Sequence, residues 1–323
     1  MNVKRFAAML LAVVSTLGLA PSPAVAWNSV SHAWIARELH RSAGHVTPAD
    51  PNRLYGAAAP DLFQSHFTPP WDQLQALLHD PDTAVLLEAW GAAEAPAERA
   101  FAFGMLSHGN GWGADATAHL AARTIGHDEG YVIAKAMALA PQMAPVLAQA
   151  GMVLPDDVLL LVCHILVEQG VDLQLVADDP TIAPALLEGA SVRDDAIPDF
   201  LAEAWAGRFA DMVGSEAEAA AFILAAEAEF RWGTAAYAWA LTQPDGRALV
   251  VAGIGNQAEE FLGLPPGTGA ALAPLIDYGL TRAMLLTARD WKRELRATAG
   301  WVNGELALHR IQPWEPPRWT APR

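Results

Sequence analysis

Four residues apart in one apolar run stand His164 and Glu168, within VLLLVCHILVEQGVDLQL at residues 158–175. On a helix such a pair points the same way, about one turn apart. A buried carboxylate is costly unless it is paired or bound to a cation, and a neutral imidazole beside it makes a ready metal pair. The plain alternative is an inert core pair, histidine hydrogen-bonded to glutamate. Asp115 and His119 repeat the spacing, and His108 stands seven residues before Asp115, which keeps one face if the turn between them is helical. His32, Asp61 and His66 complete a set of metal-type side chains near helix ends, in glycine-rich loops or on apolar helix faces.

The elements that must position these groups are helical. The run around His164 is too long and too evenly apolar for a half-exposed strand, so a helix buried on most faces is expected. The chain has 323 residues, 53% hydrophobic and 17% charged, enough for one large core or two modest ones. Alanine, leucine and glutamate dominate, and no run of alternating β-branched residues occurs, so the expected class is all-α, a multi-helix bundle. Spacing predicts short helices over Trp71–Leu78 and Thr83–Ala93, and one from Pro96 to His108, with proline suited to a first turn. His108-Gly-Asn-Gly-Trp-Gly113 breaks or distends that helix before Asp115–His119 resumes it. Later helices are expected over Ala196–Val213, Glu216–Ala240, Arg247–Leu262 and Gly269–Ala297. Trp71, Trp90, Trp112, Trp232, Trp239 and Trp291 read as mostly core, with Trp112 a candidate cleft wall. His40, His45, His79, His127 and His309 stand in polar or loop contexts and read as surface residues.

Residues 1–26 have the form of an export signal. Lys4 and Arg5 precede the apolar stretch Phe6–Ala20, and Ala24-Val25-Ala26 is the small-x-small pattern that a signal peptidase cuts. The expectation is a secreted or periplasmic protein beginning at Trp27, soluble once the leader is gone. Cys163, the sole cysteine, cannot make an internal disulfide and reads as a small core residue. Loss of Lys4 and Arg5 takes the net charge from −16 to −18, a field that opposes nucleic acid and anionic membranes. A substrate bearing phosphate then needs a local cation. The remaining organisation is read as a metal-binding domain over 27–190, further helices over 191–311 packed on it, and a Pro/Trp-rich tail at 312–323.

In this order, the motifs resemble the zinc-dependent phospholipase C family, which includes secreted bacterial phospholipases C and alpha-toxin-like enzymes. The family is related to the N-terminal domain of glycosylphosphatidylinositol-specific phospholipase D and, more distantly, to fungal-type single-strand nucleases. Trp27 resembles the N-terminal tryptophan whose amine and carbonyl chelate zinc, and His32 the histidine sharing that ion. Gly56-Ala-Ala-Ala-Pro-Asp61 resembles the small-x-x-x-Pro-Asp segment, which makes Asp61 a ligand and the proposed catalytic base. His66-Phe-Thr-Pro resembles the histidine-aromatic-Thr-Pro run of the phospholipase D relatives. Leu106-Ser-His108, Asp115 and His119 resemble the central ligand segment with Asp115 bridging, and His164 and Glu168, followed by Gly170-Val-Asp172, the closing ligands.

The likeness covers Trp27 to Leu175 and departs from the family in three places. His108 and Asp115 lie seven apart rather than four, the gap from Asp61 to His66 is short, and Val30 and Leu62 stand where choline-holding side chains are expected. The resemblance implies three zinc ions held by Trp27, His32, Asp61, His66, His108, Asp115, His119, His164 and Glu168. The implied activity is phosphodiester hydrolysis by a metal-bound hydroxide attacking phosphorus, with phospholipid or another phosphodiester as substrate and transient contact with a membrane surface. No stable nucleic-acid partner is expected. Two other readings stay open: a single-strand nuclease or 3′-nucleotidase on the same scaffold, and a non-catalytic, metal-stabilised envelope protein.

Overall fold

A computed structural model describes residues 27–42, 49–64, 69–126, 129–261 and 264–312. Among these residues the protein is all-α, with no strand. Its helices are α1 (Ser29–Ser42), α2 (Pro51–Ala58), α3 (Trp71–Leu78), α4 (Ala84–Ala92), α5 (Pro96–His108), α6 (Tyr131–Gln149), α7 (Asp156–Asp178), α8 (Ile182–Val192), α9 (Ile197–Val213), α10 (Glu216–Thr242), α11 (Gly246–Phe261), α12 (Thr268–Thr287) and α13 (Trp291–Leu308). A 3₁₀ turn, Ala59–Asp61, continues α2, and a π-helical turn, Ala116–Leu120, follows the glycine-rich loop.

Local chemistry sets the helix starts. Asp50 caps α2 by accepting from Asn52 N at 2.8 Å, and Pro51 fills the first position, where no amide donor is needed. Pro96 opens α5, and Glu98 reaches back to the amides of Glu94 and Ala95 at 2.8 and 2.9 Å. The stretch expected as one helix over Gly269–Ala297 is two, broken after Thr287 by a turn through Asp290. Asp290 is held there from α6, by Tyr131 Oη at 2.6 Å and Lys135 Nζ at 2.7 Å, a tertiary contact that periodicity cannot reveal.

One apolar core runs from Trp27 to Ile311 and includes Leu166, Val167 and Val171 of α7. By length and composition α6 and α7 are each apolar enough to cross a membrane, yet α7 spends that apolar length on the core. Cys163 is buried as expected, and burial pushes its thiol up to about 12. Helix α2, whose 3₁₀ continuation ends in Asp61, and α5, which ends in His108, cross in near contact. A Cβ on Gly56 would lie 2.2 Å from Phe101 O, and one on Gly104 would lie 2.3 Å from Arg53 O, so only glycine permits that approach.

Candidate metal centre

Three elements bring Asp61, His108 and Asp115 together. Asp61 ends the 3₁₀ turn, His108 ends α5, and the loop Gly109–Gly113 carries the chain out and back. Gly113 N bonds Gly109 O at 2.8 Å, and a Cβ on Gly113 would strike His108 C at 2.2 Å. That tight return sets Asp115 against His108, with Oδ2 3.2 Å from His108 Nε2, despite the seven-residue spacing. The π turn that follows keeps His119 buried, and such turns recur at functional sites.

The structure adds one histidine that sequence reasoning had sent to the surface. His79, at the C-terminal end of α3, is 3% exposed; its Nε2 lies 3.3 Å from Asp61 Oδ1, 3.2 Å from Asp115 Oδ2 and 3.1 Å from His108 Nε2. Its context, Leu-Leu-His-Asp-Pro-Asp, reads as a polar turn leaving a helix and carries no local sign of burial. The available signal was the short Asp61–His66 gap, which left room for a histidine further along. His66 itself lies outside the described residues, as do His45 and His127. His309 is exposed as expected and stacks on Trp112 at 3.5 Å between ring centroids.

Three groups of buried donors result: His32, His108 and Asp115; Asp61, His79 and His108; and His119, His164 and Glu168. Asp115 turns one oxygen to each of the first two, Oδ1 to His32 Nε2 at 3.3 Å and Oδ2 to His79 and His108. In the third, His164 Nε2 lies 2.8 Å from Glu168 Oε1 and 3.4 Å from His119 Nε2. Asp61 and Asp115 are near enough to act on the Glu168 carboxyl. Asn110 links the groups, its amide donating to His79 O at 2.7 Å and its Oδ1 lying 3.5 Å from His119 Nδ1.

Trp27 is fully buried beside this cluster. Its ring stacks on Tyr131 at 5.3 Å, and Nε1 donates to Thr117 Oγ1 at 3.2 Å, two residues beyond Asp115. The helix that carries His32 is pinned from α7. Asp172, one turn beyond Glu168, accepts from Val30 N at 3.1 Å, Ser31 N at 2.9 Å and Ser31 Oγ at 2.6 Å, and from Tyr237 Oη at 3.0 Å. A carboxylate at a helix N-terminus meets free amides and the positive end of the dipole.

The electrostatics explain what this pocket lacks. Burial, with His108 beside it, lowers His32 to about 4, so its ring is neutral near pH 7. Burial opposes charge on His79 too, but Asp115 and Asp61 outweigh it and raise that ring to about 10. Burial likewise works against Asp61 and Asp115, yet the neighbouring imidazoles hold both carboxyls below the usual range. Glu168 is pushed well above its ordinary value by burial and by Asp61, Asp115 and Asp172. Among the described residues, every ion-pair partner of Asp61, Asp115 and Glu168 is an imidazole.

These donors fit a cation. Neither His32 ring nitrogen nor either Asp115 oxygen has a hydrogen-bond partner, although all are buried. Buried polar atoms are rarely left so. His79 Nδ1 lies 2.9 Å from Gln75 O and His108 Nδ1 lies 2.8 Å from Ala57 O. In the neutral form that a cation would select, each ring keeps its one proton on a carbonyl and turns its Nε2 lone pair inward, the usual outer-shell arrangement of a metal-binding imidazole.

Fold and site together define an all-α protein with a buried nest of imidazoles and carboxylates able to hold metal. No family model, curated protein or solved structure matches the chain.

Proposed function

We propose that this protein is a secreted or periplasmic zinc-dependent phosphodiesterase that hydrolyses phospholipids as a phospholipase C does. One observation supports the reading above all: there are three groups of buried nitrogen and oxygen donors, two of them sharing His108, and no lysine or arginine among the described residues pairs with their acids. His32 with Asp115 Oδ1, joined by the Trp27 amine if residues 1–26 are removed, would hold one zinc. Asp61, His79, His108 and Asp115 Oδ2 would hold a second, and His119, His164 and Glu168 a third. Bound there, zinc supplies positive charge for the phosphoester oxygens and lowers the pKa of a water to about 7.

The chain's own groups do the rest. Asp61, kept ionised and fixed by Gln75 Nε2 at 3.1 Å, accepts a hydrogen bond from the attacking water and aims it at phosphorus. Backbone carbonyls of Ala57 and Gln75 hold the His108 and His79 rings in one tautomer. Asp172 keeps α1, and with it His32, in register with α7. The net charge of −16 disfavours polyanionic nucleic acid and leaves a small or zwitterionic phosphodiester as the better match.

The test is a metal count on the purified protein together with hydrolysis of zwitterionic phospholipid micelles and of single-stranded DNA. Three zincs per chain and release of diacylglycerol are expected, with Asp61→Asn lowering the rate at least ~100-fold. Nucleotide release in place of diacylglycerol would replace the substrate but keep the centre. Absence of bound metal, or an unchanged rate in the variant, would refute the reading.

A further inference from the structure

The two tryptophans of α10 do not belong to the core. Trp232 is 75% exposed and Trp239 is 51% exposed, against the sequence expectation for both. They lie on a stripe of Ala221, Ala225, Ala228, Trp232, Ala235 and Trp239, all exposed except half-buried Ala235. The spacings alternate four and three, the a/d pattern of a helix that packs on another helix. No charged residue interrupts the stripe; Glu229 borders it. Monomeric proteins rarely leave such an apolar strip on a helix open to water.

The order of large and small residues along the stripe identifies the partner. Turned end over end about position 230, the stripe maps onto itself: Trp239 falls on Ala221, Trp232 on Ala228, and Ala235 on Ala225. Every tryptophan then meets an alanine, a bulky side chain opposite a small one, and no two indoles collide. A surface that reads the same in both directions is what a twofold contact requires, because the same patch must serve on both copies. We propose that α10 is a homodimer interface, two copies pairing antiparallel through this stripe.

The size of the contact sets its strength. The exposed parts of the two tryptophans amount to roughly 250 Å² per copy at about 200 Å² for a whole side chain. With the alanines between them, the contact over both copies comes to roughly 1,000 Å², the low end for a specific interface. A reversible, micromolar dimer is expected rather than a permanent one. The interface does not depend on the metal centre or on the proposed activity.

Sedimentation equilibrium of the purified protein from about 1 to about 200 µM tests it, since that span brackets the strength expected of so small an area. Concentration-dependent dimerisation is expected. Trp232→Ser and Trp239→Ser should each weaken it at least ~10-fold. In a variant carrying Ala225→Cys and Ala235→Cys, mild oxidation should give a covalent dimer, because the two positions meet only across the twofold and Cys163 is buried. A protein that stays monomeric throughout overturns the proposal. So does a monomer that binds phosphatidylcholine vesicles through Trp232 and Trp239, which would make the stripe a lipid-facing surface.

Discussion

Glu168 and Glu227 are each 2% exposed, yet the chain surrounds them with different chemistry. Glu227, on α10, receives the Arg193 guanidinium through Nε at 2.6 Å and Nη2 at 3.0 Å, and the Tyr55 hydroxyl at 2.9 Å. Glu294, on α13, is as deeply buried and accepts the amides of Arg123 and Thr124 at 2.6 and 2.8 Å. These are permanent donors, a cation that does not deprotonate and backbone N–H groups. Glu168, Asp61 and Asp115 receive imidazoles instead, groups that exchange a proton for a metal ion near neutral pH. Where the fold buries a carboxylate for structure, it closes the charge within the chain. At the centre its partners are titratable rings, and a cation bound there would close the charge in their place.

That contrast predicts its largest effect on metal removal. A ligand present at about 1,000 times its dissociation constant stabilises the folded state by roughly 4 kcal/mol per site. Chelation should therefore cost several kcal/mol of unfolding free energy, read as a fall in Tm that added zinc reverses. An unchanged Tm would mean that the imidazoles alone satisfy the acids. Arg193→Ala strikes the other region. It strands Glu227 with only Tyr55, at an expected cost of about 3–5 kcal/mol, which zinc does not restore. The metal content of the folded fraction should stay at the wild-type level in that variant.

His79 sharpens the contrast inside the centre. His79→Gln should remove one zinc per chain and lower turnover at least ~100-fold, a cost of roughly 3 kcal/mol in transition-state stabilisation. His66→Gln, tested beside it, separates the histidine that the family likeness points to from the one the fold places at Asp61. If His66→Gln is the variant that loses zinc, His79 is a structural partner and the ligand set reverts to the sequence-based one. Because protons compete with metal for these rings, both losses should deepen as pH falls.

Much of this was legible in the chain, and the misses have physical causes. The helical class follows from composition and spacing, and α7 with its His164/Glu168 pair was visible as an apolar run carrying two misfit polar residues. The bulge between His108 and Asp115 is flagged by three glycines, and at Gly113 the return is so tight that an added Cβ would fall 2.2 Å from His108 C. His79 was missed because local polarity describes the neighbours in sequence, while its burial comes from Asp61, His108 and Asp115, up to 36 residues distant along the chain. Trp232 and Trp239 were placed in the core because periodicity gives a helix its apolar stripes without saying which one the fold covers. The break at Asp290 depends on Tyr131 and Lys135 of another helix, so no window along α12 and α13 contains it.

Asp172 lies between the two regimes and gives the smallest effect. It is fully buried like the ligands, but backbone amides and hydroxyls bind it, as at Glu294. Burial outweighs those hydrogen bonds and raises its carboxyl to about 6. The unfolded chain has an ordinary aspartate near 3.9, so between those values the folded state binds the proton more tightly. The stabilisation from that proton is fully present below about 4 and is lost as pH rises through about 6, amounting to about 3 kcal/mol. Denaturant melts across that window should show wild type losing stability relative to Asp172→Asn as pH rises, since the amide does not titrate. A difference that stays flat from pH 4 to 7 would mean the amides of Val30 and Ser31 hold Asp172 ionised throughout. It would then belong with Glu294, a carboxylate whose charge the chain has closed by itself.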